Sequence, residues 1–144
     1  MPTTNTINSH WLKDYTFISS NSVGQSIITD SATEKDGSTC APSPMDVVLM
    51  GLAGCAGIDV KLILTKSKQQ FTDIKVTTEA QRRDEIPRIY TDINLHFRVA
   101  GKELEEKHVA RAIQLSAEKY CSVSHMLQGT VNVTHSYEIV GIEE

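Results

Sequence analysis

The sharpest pattern in the chain is a two-residue alternation. From Arg88 to Ala100, Ile89, Thr91, Ile93, Leu95, Phe97 and Val99 fall on one side, while Arg88, Tyr90, Asp92, Asn94, His96 and Arg98 fall on the other. Such a period marks a strand in an antiparallel sheet with one wet face. Phe71–Gln81 reads as its hairpin partner across the charged turn Arg82–Pro87, and Val131–Val140 alternates again as a final strand. Two weaker strands are expected at His10–Ser19 and Gly24–Asp30, divided by the turn-prone Ser20-Asn21-Ser22. Ser31–Thr39 is polar and reads as a loop, and residues 1–8 are expected to be loose.

Helical signals alternate with these strands. Ser43-Pro44-Met45-Asp46 places a cap serine, a proline at the first helical position and an acid three residues after the cap. Behind it Val47–Ile58 runs without a charge, apolar all round rather than striped, which predicts a helix buried on most sides. The run is too short to span a membrane. Gly51, Gly54 and Gly57 recur at every third position, a strip where another helix can approach closely. The helix is expected to fade near Lys66–Gln70. A second helix is predicted from Lys102 to Tyr120, with Val109, Ile113, Ala117 and Tyr120 on one face, and a short one over Ser122–Leu127.

The order β-β-α-β-β-α-β, with strands in hairpins between helices, predicts an α+β fold with mostly antiparallel sheet. At 144 residues, with 40% apolar and 22% charged positions, one folded domain over 1–144 is expected. A formal charge of −4 with scattered Lys and Arg excludes the basic footprint of a nucleic-acid binder. No charged and then apolar segment opens the chain, so no secretory signal is expected. Three cysteines, an odd number without a CxxC, argue against a disulfide framework and a tetrahedral zinc site. A reducing cytoplasm is the natural setting.

Taken one residue at a time, the candidate chemistry is sparse. Cys55 lies deep in the apolar helix, where a free cysteine reads as a core residue. Cys121 lies at a helix junction among Lys119, Tyr120, Ser122 and Ser124, and its thiol is expected to be the more accessible. Cys40 has no basic or aromatic neighbour and reads as incidental. Arg82, Arg83 and Arg88 cluster in the hairpin. A reactive thiol needs a cation to lower its pKa, and arginine serves without losing its proton; a solvated turn paired with Asp84 and Glu85 is the plainer reading. Asp46 is a helix-terminus acid. Asp59 follows Cys55 by one turn and reads as a buried polar residue or a rim charge. The histidines (His10, His96, His108, His125 and His135) show no ligand spacing, so no metal is expected.

Longer stretches say more. Ala41-Pro42-Ser43-Pro44-Met45-Asp46-Val47-Val48-Leu49-Met50-Gly51-Leu52-Ala53-Gly54-Cys55 resembles the OsmC/Ohr family, in which a proline-led opening precedes a glycine- and alanine-rich helix bearing a cysteine eleven residues after the proline. Ala117-Glu118-Lys119-Tyr120-Cys121-Ser122-Val123 looks like the family's second cysteine. Arg82-Arg83-Asp84-Glu85-Ile86-Pro87-Arg88-Ile89 resembles the hairpin of its OsmC-like (YhfA-type) branch. The resemblance covers roughly Trp11 to Val140. It implies an OsmC-like fold, with sheets around central helices in an intertwined homodimer whose two active sites lie at the interface. It further implies thiol-dependent reduction of organic hydroperoxides: Cys55 attacks the O–O bond and becomes a sulfenic acid, Cys121 condenses with it, and an external dithiol restores both. No cofactor, metal, nucleic acid or membrane is implied. The family's characterised peroxidases carry a Glu directly after the helix-opening proline and an arginine from the N-terminal strands. Here Met45 follows Pro44, Asp46 is the nearest acid, and Arg82 is the first arginine of the chain. Arg83 and Arg88 are therefore the candidates for the activating cation, with Asp46 the candidate activating acid. The other reading is a small-ligand-binding or redox-sensing protein on the same fold with little or no turnover.

Overall fold

The computed structural model describes residues 2–32 and 37–142. Residues 33–36 of the expected loop Ser31–Thr39 lie outside the described residues, as do residues 1, 143 and 144. The chain divides into two compact units, Met1–Leu49 and Met50–Glu144.

The first unit is an antiparallel meander of β1 (Asn8–Lys13), β2 (Thr16–Ser20) and β3 (Ser26–Thr29). The expected strand His10–Ser19 is thus two strands. The chain reverses at Asp14, whose φ of 44° is left-handed and whose carbonyl accepts the Trp11 indole N–H at 2.9 Å. Aspartate tolerates that conformation, so the turn needs neither glycine nor proline. Between β2 and β3 the Asn21 side chain accepts the N–H groups of Val23 and Gln25. Asp30 ties the end of β3 to the segment beyond the loop: its carboxylate accepts Ser31 N–H at 2.8 Å, Cys40 N–H at 2.9 Å and the buried Thr16 hydroxyl at 3.1 Å. Among the described residues, Trp11, Leu12, Tyr15, Ile27 and Ile28 of this unit stay exposed.

Helix α1 (Pro44–Lys66) opens on the expected cap. Asp46 N–H donates to Ser43 Oγ at 3.0 Å and Ser43 N–H donates to the Asp46 carboxylate at 3.3 Å, a reciprocal capping box. The helix ends at Lys66 and the chain turns at Lys68, which has φ 59°. Burial on most sides is not found within this chain. Only Leu52, Ala56, Val60 and Leu64, one residue per turn, are fully buried, whereas Met50, Ile58 and Leu62 are exposed. At 23 residues the helix is also long and apolar enough to cross a membrane, which the charge-free run Val47–Ile58 alone did not suggest. Its buried stripe, with Asp59 and Lys61 at mid-length, fits a helix packed on protein.

The second unit contains β4 (Gln70–Arg82), β5 (Tyr90–Lys102), α2 (Glu106–Leu115), α3 (Ser122–Leu127) and β6 (Asn132–Gly141), with sheet order β4-β5-β6. The hairpin β4–β5 is antiparallel as expected, with Thr78 opposite Leu95. The pairing of β5 with β6 is parallel, with Leu95 beside His135, because the α2–α3 crossover brings the chain back in the same direction. Antiparallel pairings still dominate the chain. Ile93, Leu95, Phe97 and Val99 on one face of β5 are buried with Val109, Ala112 and Ile113 of α2. Gly57 brings α1 close to β4, where a β-carbon would lie 3.7 Å from Val76 Cγ2. Gly51 and Gly54 face open space among the described residues, so the close helix approach expected there is not made within the chain.

Candidate active site

Cys55 and Asp59 are one turn apart on α1 and share a face. Opposite them, α2 gives way to a π-helical turn, Ser116–Tyr120, in which Cys121 N–H reaches back five residues to the Ser116 carbonyl at 2.9 Å. Such turns recur at functional sites because the inserted residue re-aims the side chains beyond it. His125 closes this one by donating from Nε2 to the Glu118 carbonyl at 2.9 Å. Cys121 then leaves helical geometry (φ −74°, ψ 103°) and caps α3, its Sγ accepting Ser124 N–H at 3.4 Å.

The outcome is a compact cluster. The Sγ atoms of Cys55 and Cys121 and a carboxylate oxygen of Asp59 all lie within 4.8 Å of one another. Ser116, fully buried, donates from Oγ to Asp59 Oδ2 at 3.1 Å and fixes the carboxylate. Beside the cluster is a cavity of about 260 Å³ lined by Asp59, Leu62, Ile63, Lys66, Leu115 and Tyr120. Its apolar walls suit an organic molecule with one polar end.

Accessibility is the reverse of the sequence expectation. Cys121 is 1% exposed, whereas Cys55 is half-buried. The buried stripe of α1 passes beside Cys55 rather than through it, and the π-helical turn rotates Cys121 inward. Burial pushes the Cys121 thiol up to about 11; the Ser124 N–H opposes this, while Cys55 and the Asp59 charge add to it. Cys121 therefore stays a protonated thiol near neutral pH, and Cys55 is the sulfur that solvent and solutes reach first.

The other expected site residues have local partners of their own. Arg83 donates from Nε to the Pro87 carbonyl at 2.7 Å, and Arg88 to the Arg83 carbonyl at 3.3 Å, so both brace the end of their own hairpin. Arg82 bonds the Arg88 carbonyl and lies over the Tyr90 ring. Asp46 is engaged in the capping box. Cys40 lies in the first unit, 3.9 Å from the Thr16 hydroxyl. Sequence reasoning weighed Asp59 only as a buried polar residue or a rim charge and passed over Ser116. The i, i+4 spacing from Cys55 was the available signal for Asp59; none marked Ser116, which meets it from 57 residues away.

Comparison with known proteins gives a consistent assignment. A family model described as OsmC-like protein matches residues 35–136. The chain is 48% identical over 130 residues to protein YhfA of Escherichia coli K12, covering 90% of this chain and 94% of the relative. Its fold superposes on an OsmC-like protein from Mycoplasma pneumoniae with a TM-score of 0.81 at 16% identity, covering 97% of this chain and 99% of the other. It superposes on an organic hydroperoxide resistance protein OsmC from Legionella pneumophila with a TM-score of 0.68 at 17% identity, covering 94% and 97%.

Proposed function

We propose, from the premise that this chain belongs to the OsmC-like protein family, that it is a thiol-dependent hydroperoxide reductase acting on organic hydroperoxides through Cys55 and Cys121. The observation that carries the reading is the approach of the two sulfurs to within 4.8 Å of each other. The name of the Legionella relative points the same way for that protein. The Cys55 thiolate attacks the terminal peroxide oxygen, the O–O bond breaks, and the alcohol leaves with a proton. The resulting sulfenic acid is attacked by the Cys121 sulfur, which expels water and leaves a disulfide. An external dithiol then reduces the disulfide and is itself oxidised. The cavity beside Asp59 supplies apolar walls for the organic group.

The active assembly in this reading is a cytoplasmic homodimer. Met50, Ile58 and Leu62 on α1, together with the open strip at Gly51 and Gly54, form an apolar face left exposed among the described residues. A partner lying on that face brings a second set of hairpin arginines, from which Arg83 or Arg88 supplies the cation. A second reading, redox sensing or ligand binding with little turnover, is favoured by Asp59, a carboxylate standing at the thiols where activation calls for a cation. Peroxide consumption in metal-free buffer with dihydrolipoamide as reductant separates the two. Sustained turnover, abolished by Cys55→Ser and arrested at a trappable sulfenic acid by Cys121→Ser, supports the reductase. A single slow oxidation with no recycling supports the sensor.

A further inference from the structure

We infer that the reduced chain holds one soft divalent cation, zinc(II) above all, between Cys55 Sγ, Cys121 Sγ and an Asp59 carboxylate oxygen, with the fourth coordination position open to solvent. Two sulfurs and one carboxylate oxygen are a donor set that zinc takes readily, and three protein ligands with one open position is its usual arrangement at reactive sites. The spacing fits. Three donors at most 4.8 Å apart leave a central point no more than about 2.8 Å from each, so closing to the 2.0–2.3 Å of zinc bonds takes shifts of at most about 0.5–0.8 Å.

The surroundings favour a cation. The Ser116 hydroxyl orients the carboxylate at 3.1 Å, the kind of outer hydrogen bond that fixes metal ligands, and Ser124 N–H supports the Cys121 sulfur. Both thiols release their protons on binding, and the added charge of the metal offsets the carboxylate that stands beside them. The ligands come from α1 and from the junction that caps α3, 62 and more residues apart in sequence, which is why no CxxC announces the site. Half-buried Cys55 gives the ion a way in. A Cys55–Cys121 disulfide removes both sulfur donors, so metal and disulfide exclude each other. The inference does not depend on the reductase reading, since it needs only these three side chains in reduced form.

The test uses full-length, metal-free protein reduced with a phosphine. Cobalt(II) serves as the spectroscopic probe, and zinc(II) is titrated against a chromophoric chelator. One ion per chain is expected, with sulfur-to-cobalt charge-transfer bands. Cys55→Ser and Cys121→Ser each weaken binding by more than about 100-fold and remove half or more of those bands, and Asp59→Asn weakens it by at least about 10-fold. Cys40→Ser changes nothing. Circular dichroism confirms that each variant is folded. Binding that survives Cys121→Ser or Asp59→Asn undiminished, or no stoichiometric binding at all, overturns the site. Because peroxide turnover is assayed separately in metal-free buffer, loss of either result leaves the other standing.

Discussion

A disulfide between Cys55 and Cys121 would tie together positions 66 apart in the chain, and its effect on stability can be worked out beforehand. Loop-closure entropy for 66 residues gives a gain of about 4.4 kcal/mol at 25 °C. Against it stand the hydrogen bond from Ser124 N–H to the Cys121 sulfur, worth about 0.5–1 kcal/mol, and a similar cost for rotating both side chains from their present separation. The net gain is about 3 kcal/mol. With a urea dependence of about 2 kcal/mol per molar, the unfolding midpoint rises by about 1.5 M. The experiment compares oxidised and reduced protein in a Cys40→Ser background, so that one thiol pair is present, at a single protein concentration and with the oligomeric state checked by gel filtration. If the cross-link forms within one chain, as shown by peptide mapping, and the midpoints still agree within about 0.2 M, the sulfurs are not held ready for bonding and the geometric argument fails.

Three further outcomes are expected from the rest of the molecule. Gly101→Ala places a β-carbon against the Gln70 carbonyl and Phe71 Cα, backbone that cannot yield cheaply, so a loss of about 3 kcal/mol or failure to fold is expected; wild-type urea stability would show that β4 and β5 have room there. Burial holds the His135 pKa below its ordinary value, and its Nε2, beside the Phe97 ring, has no hydrogen-bond partner among the described residues. The unfolded chain therefore binds this proton more readily than the folded one. Stability is full above about pH 6.5 and falls as the pH drops below it, and His135→Phe should flatten the urea midpoint between pH 7 and 5; an unchanged slope refutes the assignment. Ile58, 69% exposed on α1, is central to the proposed dimer face, and Ile58→Glu should weaken self-association at least about 100-fold by sedimentation, whereas unaltered association places the interface elsewhere.

Local signals were readable where a strong short-range pattern sets the outcome. The alternation of β5 and the Ser43–Asp46 cap are set by neighbours within a few residues, and both elements form where the pattern puts them. The reversal at Asp14 was missed because aspartate allows a left-handed turn without announcing one. The parallel pairing of β6 depends on the route of a crossover, which no residue in the strand records. The burial of α1 was overestimated because an apolar sequence says only that a face wants cover, not whether the same chain supplies it. At the candidate site, the two cysteines were singled out by their surrounding stretches. Their exposures came out inverted because a π-helical turn, invisible to a 3.6-residue period, rotates Cys121 inward. Asp59 was visible only as a spacing, and Ser116 only once the helices met.

The central claim is that Cys55 and Cys121 form one redox pair. It is tested most directly by adding one equivalent of cumene hydroperoxide to the reduced Cys40→Ser protein and mapping the peptides by mass spectrometry. The account predicts one equivalent of alcohol released and an intramolecular Cys55–Cys121 disulfide in nearly every chain. Both thiols remaining free with the peroxide unconsumed would contradict it.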